Sequence, residues 1–445
     1  MVLVMADVVE ADSLNQVPLL LPIKDAEKVE DEEEADAVGD TLKWLELFLS
    51  ILGFKQSSGW SLVLWWSVFS LVGVVVPVLI LLLTECSGDC ERYQINKFEL
   101  DIMASQACLA AVSLLCLSHN LRKYGIRKFL FVDRCNGHMV RFRDDYIHKI
   151  LKSVRLLTIW VLLCFFLKTG REILRLLNVH HESWWVSLSI LFGLVGSWTY
   201  TCIVYLSACV VFHLVCNLQI THFDDYVRLL EREGDVLVLI EDHTRLRYYL
   251  SKISHRFRIF LVLEFVVVSA SQIVTLFQTT ASSGKITIIN GGDFAISSLV
   301  QVVGVILCLN GAAKISHRAQ GLAAVASRWH SLATCRGSAD GLSQIRSTNS
   351  AGNVEATITF NSFQSEYSES DLESLEFCGI PSNTQFPSHM SSYHRRQSFV
   401  LYLQNNPGGI TIYGWTVDRG LITTIFCIEL TLVTFVLGKT VVFTA

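Results

Sequence analysis

The chain carries none of the short motifs that hold the chemistry of common enzymes. It has no phosphate-binding glycine loop, zinc-protease helix motif, nucleophile elbow or dinucleotide fingerprint. No enzymatic activity, cofactor or metal is therefore expected. Charge is scarce, at 17% of 445 residues, and proline is scarcer, at 6. The first 25 residues are apolar and acidic, without the basic leading region of a cleavable signal peptide. The first apolar span is then expected to serve as the insertion signal. Neither end shows a lipidation motif. No internal repeat is visible, and spans five to seven hold no mid-helix proline, which weighs against the broken helices of many carriers. The net charge of −5 is the difference between an acidic tail and basic loops. No nucleic-acid partner is expected.

What the chain has is apolar length. Mean hydropathy is +0.43, and a hydrocarbon core of about 30 Å needs roughly 20 apolar helical residues. Seven segments read as spans: Trp60–Leu83, which meets that length cleanly, the shorter and weaker Ile102–Ser118, the apolar core Val154–Leu167, Trp184–Cys216, Ile259–Thr280, Phe294–Ala313 and Gly420–Phe443. The second holds small residues (Ala104, Ala107, Ala110, Ala111) suited to helix contact. The third continues through Lys168 and Arg171, which are expected to snorkel. The fourth would run about 50 Å and so project beyond the bilayer. Lys and Arg crowd the second connection (119–153) and the fourth (217–258), whereas the first has Arg92 and Lys97 and the fifth only Lys285. The positive-inside rule makes the even connections cytoplasmic. The expected fold is an all-α membrane protein of seven transmembrane helices, with a cytoplasmic N-terminus and an extracytoplasmic C-terminus. That orientation is the reverse of a G-protein-coupled receptor. Composition does not separate plasma membrane from endomembrane.

Four regions follow. Residues 1–40 read as a disordered acidic tail with a run at Glu30–Glu34. Residues 41–333 hold spans one to six with helical cytoplasmic loops. They open on Thr41–Phe54, which is either an interfacial helix or an extension of span one. Apolar residues between charges across Phe223–Ile259 predict helical extensions of spans four and five into the cytoplasm, packed on the chain's own loop or on neighbouring subunits. Residues 334–398, rich in Ser, Thr, Asn and Gly, read as a disordered insertion. Residues 399–445 hold an anchor helix, a turn at Asn405–Gly409, the interfacial aromatics Tyr413 and Trp415, and span seven.

Candidate sites are few. Thr423, Cys427, Thr431, Thr434 and Gly438 recur at helical spacing and put small polar groups on one face of span seven. Such a face lines a pore, or else bonds back to its own helix. Glu429 lies about 200° around that helix from Cys427. It and Glu264 in span five are intramembrane carboxylates, and so functional candidates. Gln272 and Gln301 are placed to pair between spans five and six. Most of the 13 cysteines fall within spans, where Cys is a small apolar residue. Cys86 and Cys90 lie outside, as a local or intersubunit disulfide or as free thiols. Ser398, after two arginines, is a candidate phosphosite. His180-His181-Glu182 is a metal or pH-sensing candidate or simply a solvated loop. Asp133-Arg134-Cys135 precedes a span rather than ending one, and reads as chance.

Two phrases, His119–Gly125 (HNLRKYG) and Tyr402–Arg419 (YLQNNPGGITIYGWTVDR), resemble a plant membrane-protein family of unknown function. That family is a proposed distant relative of the insect gustatory and odorant receptors. The resemblance covers about residues 41–333 and 395–443. It implies a ligand-gated, non-selective cation channel, tetrameric, with Thr423, Cys427, Thr431 and Thr434 at a pore lined by the last helix. It also implies an intersubunit anchor at Phe399–Trp415 and a ligand pocket among spans two to six on the outer side. The short Thr-Tyr and Gln-Phe signature of the insect gustatory receptors is absent. The expectation is an oligomeric channel or chemoreceptor-like protein in a lipid bilayer, opened by an unknown small molecule or ion. The alternatives are a secondary carrier using an intramembrane carboxylate, and a non-conducting scaffold.

Overall fold

The computed structural model describes residues 39–56, 58–83, 96–131, 143–178, 184–232, 235–281, 288–341 and 391–442. Cys86, Cys90, His180-His181-Glu182, Asp133-Arg134-Cys135, nearly all of the acidic tail and residues 342–390 of the Ser-rich insertion lie outside them.

A short helix, α1 (residues 39–51), comes first. It buries Leu42, Leu45 and Leu49 and leaves Trp44 and Ile51 exposed. The chain then turns at Gly53, whose φ of +86° suits only glycine and whose missing Cβ admits the Trp65 ring. α1 is thus a separate helix, not the start of span one. Span one, α2, runs Gly59–Ser70, a π-helical turn Leu71–Val75, and Val76–Leu83. Pro77 explains the wide turn. It has no N–H to give the carbonyl four residues back, and its ring needs room there.

Five long helices follow: α3 (Asn96–Phe129), α4 (Arg143–Asn178), α5 (Trp184–Arg232), α6 (Val236–Ala281) and α7 (Ile288–Gly341). With α2 they make, among the described residues, six helices long and apolar enough to cross a membrane. The protein is an all-α, integral multi-pass membrane protein. α5, at 49 residues, extends about 73 Å, well beyond a hydrocarbon core of about 30 Å. α7 continues through 334–341, which the sequence suggests belong to the insertion. The chain resumes with α8 (Ser392–Asn405), a two-stranded hairpin pairing Thr411–Ile412 with Trp415–Thr416, and α9 (Arg419–Val442). α9 packs on α6 and α7.

α5 is the axis of the bundle. Of its apolar window 83% is buried, against 17% for α2. It packs most closely on α7 and α4. Phe212, Leu214 and Val215 on α5 join Phe257, Ile253 and Leu309 from α6 and α7 in one core.

Both resemblance phrases build the end of the bundle that carries the basic connections. α3 breaks at Gly125 (φ 70°, ψ 163°), a conformation open only to glycine. Beside the break, Asn120 donates to the Arg256 carbonyl at 3.0 Å, and the Arg256 guanidinium sits 3.8 Å from the Tyr124 ring. From the other phrase, the Tyr402 hydroxyl meets Thr244 at 3.1 Å, and Arg247 donates to Asn406 at 2.7 Å. The backbone N–H groups of Ile410 and Thr411 donate to Ser316 and Ser254.

Candidate functional site

A serine, threonine, tyrosine, cysteine, histidine or asparagine occupies every fourth position of α5 from Ser197 to Thr221. Each step of four residues advances about 40° around the helix, so the polar line winds past several neighbours in turn. The side chains it meets define two layers of buried polar groups.

The first layer is an ion cluster at the end of the bundle where α4 stops and α5 begins. Lys168 pairs with Asp293 of α7 and, at 3.1 Å, with Glu172. Arg171 contacts Glu99 of α3 at 2.8 Å and Glu172 at 2.5 Å. Arg175 reaches Glu99 at 3.3 Å and Glu172 at 3.6 Å. Three cations thus balance three carboxylates. Lys168 and Arg171 are 4% and 6% exposed, so they turn inward and do not snorkel as the sequence suggests. Glu99 lies in the first turn of α3, a position that the helix dipole favours for a carboxylate, and Asp293 lies in the second turn of α7. Together they draw the cations in. The cluster lines a narrow cleft shared with Gly73 and Pro77 of the π-bulged stretch, Gln106 and Trp198. Among the described residues, the Gln106 amide oxygen and the Trp198 indole nitrogen have no hydrogen-bond partner.

The second layer lies deeper, around Glu264. The Tyr205 hydroxyl is 2.8 Å from Glu264 Oε1 and 3.2 Å from the Gln301 carbonyl. Cys209 Sγ is 3.5 Å from the same carboxylate oxygen. Cys308 of α7 faces both Cys209 and Glu264. The Cys209, Cys308 and Glu264 ligand atoms all lie within 4.8 Å of one another and are buried. Glu264 is 0% exposed, and its Oε2 has no partner among the described residues. Gly304 makes room for this arrangement, because a Cβ there would overlap the Tyr205 hydroxyl.

A chain of amides and hydroxyls joins the layers. Gln301 donates to Ser105 at 3.2 Å, beside the cleft residue Gln106, which itself donates to the Ser297 carbonyl at 3.0 Å. Gln272 donates to Ser298 at 3.3 Å and to Gln301 at 3.4 Å. The Gln272–Gln301 pairing between spans five and six is as the sequence suggests.

The other predicted residues lie elsewhere. Glu429 is buried and turned to α6, where Ser269 donates to its Oε1 at 3.2 Å. Thr423, Cys427, Thr431, Thr434 and Gly438 are exposed on the single chain. The hydroxyls of Thr423, Thr431 and Thr434 donate to carbonyls four residues back on α9. Ser398 is half-buried in the second turn of α8. Cys209 and Cys308 were legible only as apolar filling. The available signal was their company: Cys202, Cys209 and Cys216 repeat at seven residues on α5.

A family model described as "Protein of unknown function (DUF3537)" matches residues 40–428. No curated protein matches the chain.

Proposed function

The chain belongs to the DUF3537 family of proteins of unknown function, and we propose that it is a secondary carrier whose coupled cation binds at Glu264. In this reading α9 is a seventh span, the N-terminus is cytoplasmic, and the ion cluster closes the extracytoplasmic end. One observation carries it: a carboxylate enclosed by α5, α6 and α7 with an oxygen that no neighbour among the described residues satisfies. An unpaired polar atom in a membrane interior costs several kcal/mol, and a translocated cation or proton supplies the missing partner. Two features support the same reading. The π-helical turn of α2 lines the cleft beside the cluster, as interrupted helices line the sites of many carriers. The cluster's ion pairs join α3, α4 and α7, so opening that end means exchanging defined partners.

The test is proton flux in proteoliposomes under imposed gradients of Na⁺, K⁺, Mg²⁺, Mn²⁺ and Zn²⁺. Wild type is expected to move protons against one of these cations, and Glu264→Gln to be silent while remaining monodisperse. Equal flux in Glu264→Gln removes the reading.

A channel built as in the insect receptor superfamily is the second reading. Its support is the exposed polar face of α9 (Thr423, Cys427, Thr431, Thr434) and the resemblance of the two phrases. It requires copies to share a pore. Single-particle mass in nanodiscs decides this: a fourfold assembly favours the channel, and a monomer excludes the shared pore.

A further inference from the structure

We propose that Cys209, Cys308 and Glu264 form a binding site for a thiophilic divalent metal ion of the zinc class. Only the claim that this ion is the carrier's cargo rests on the reading above; binding stands or falls alone.

Ligand chemistry comes first. Two sulfurs and a carboxylate oxygen lie within 4.8 Å of one another, all enclosed. Zn²⁺ bonds Cys sulfur at about 2.3 Å and carboxylate oxygen at about 2.0–2.2 Å, so a small inward shift of three side chains closes a three-ligand shell. Hard cations such as Mg²⁺, Ca²⁺ and Na⁺ need shells of oxygens, and a single carboxylate beside two sulfurs does not provide one. The carboxylate also selects among thiophilic ions, since Zn²⁺ accepts mixed sulfur and oxygen ligands while Cu⁺ favours soft donors.

The unpartnered Oε2 of Glu264 is a second, separate observation. Packing alone accounts for buried cysteines. It does not account for a carboxylate among thiols with one oxygen unsatisfied.

The third observation is a ladder of thiols. Cys202, Cys209 and Cys216 stand about 10 Å apart along one side of α5. Cys202 is buried at one end of the line, and Cys209 faces Cys308 of α7. His213 lies between Cys209 and Cys216, its Nδ1 3.1 Å from the Leu307 carbonyl. With its proton on Nδ1 it keeps Nε2 as a lone-pair donor, the form that binds metal. Soft ligands therefore continue along α5 on both sides of the proposed site.

Charge balance suits exchange. A divalent ion that displaces the two thiol protons leaves the net charge of the site unchanged: M²⁺ enters, two H⁺ leave, and two S–H bonds become two S–M bonds. That matters where net charge is expensive. It also makes affinity rise with pH, because ligands must lose protons to bind.

The test uses the full chain in nanodiscs with Cys86 and Cys90 replaced by serine, so that those thiols do not contribute. Bound Zn²⁺ is counted by elemental analysis after dialysis, and Co²⁺ is added as a probe of thiolate-to-metal charge-transfer absorption. The expected result is one Zn²⁺ per chain and a Co²⁺–thiolate band. Cys209→Ser/Cys308→Ser, near-isosteric and checked for a monodisperse profile, is expected to abolish the band and weaken Zn²⁺ binding about tenfold or more per ligand removed. Replacing the exposed Cys335 and Cys427 should change neither. No Zn²⁺ on the parent chain, binding of Cu⁺ alone, or undiminished Zn²⁺ in Cys209→Ser/Cys308→Ser each overturns the proposal. Glu264-dependent proton flux without Zn²⁺ binding sinks the metal site and keeps the carrier. Zn²⁺ binding without flux does the reverse.

Discussion

Helices α5 and α9 both carry lines of small polar groups, and apart from Thr201, which bonds back to its own helix, the middle of the α5 line is satisfied in the opposite way to the α9 line. On α5, Tyr205, Cys209 and His213 reach across to α6 and α7. On α9, Thr423, Thr431 and Thr434 return their protons to their own backbone. The same spacing thus describes groups that need another helix and groups that need nothing. A polar stripe in a membrane helix identifies a pathway only once its partners are known.

The contrast predicts a gradient of effects. Breaking charges held across helices should cost most. Arg171→Met leaves Glu99 and Glu172 under-compensated and should lower stability by about 3–5 kcal/mol, read by reversible detergent-denaturant titration. Adding Glu99→Gln to Arg171→Met should restore part of the loss, and a purely additive double variant would deny the coupling. Gly304→Ala forces the whole Tyr205 ring aside, since a Cβ there overlaps its hydroxyl and two ring carbons, and should cost about 1–3 kcal/mol; Tyr205→Phe in the same background should leave most of that cost, and Tyr205→Leu should relieve it. Tyr205→Phe alone removes one interhelical hydrogen bond, worth about 0.6 kcal/mol and at most about 1.7 in a membrane. On α9, Thr431→Leu should stay within about 0.5 kcal/mol and leave flux unchanged. A change in flux there would return the pathway to the last helix.

Sequence made the frame legible and the site only in part. Hydropathy marks the six long spans, since length and apolarity are local properties. Glu264 and Glu429 stand out because a carboxylate in an apolar run is conspicuous. Glu99 and Asp293 do not stand out: near a span end they read as interface residues, and only packing shows that Lys168 and Arg171 turn toward them. Cys308 meets Cys209 from another helix, a relation no periodicity on one helix contains. The phrases HNLRKYG and YLQNNPGGITIYGWTVDR are distinctive, yet they hold Arg256, Arg247 and Ser316 at the basic end, away from Glu264. Motifs that identify a family therefore point here to scaffolding rather than chemistry.

The central place of α5 has a consequence for biogenesis. Tyr205 is synthesised 59 residues before Glu264 and 96 residues before Gln301. At about 5–20 residues per second, roughly 5–20 s separate Tyr205 from Gln301 leaving the ribosome. For that interval the Tyr205 hydroxyl and the Cys209 thiol lack first all and then part of their partners, Glu264 arriving before Gln301 and Cys308. The nascent chain must be sheltered at the insertion machinery until α7 arrives. The polar interior then closes only once α7 is in place, before α9 is added to its outer side.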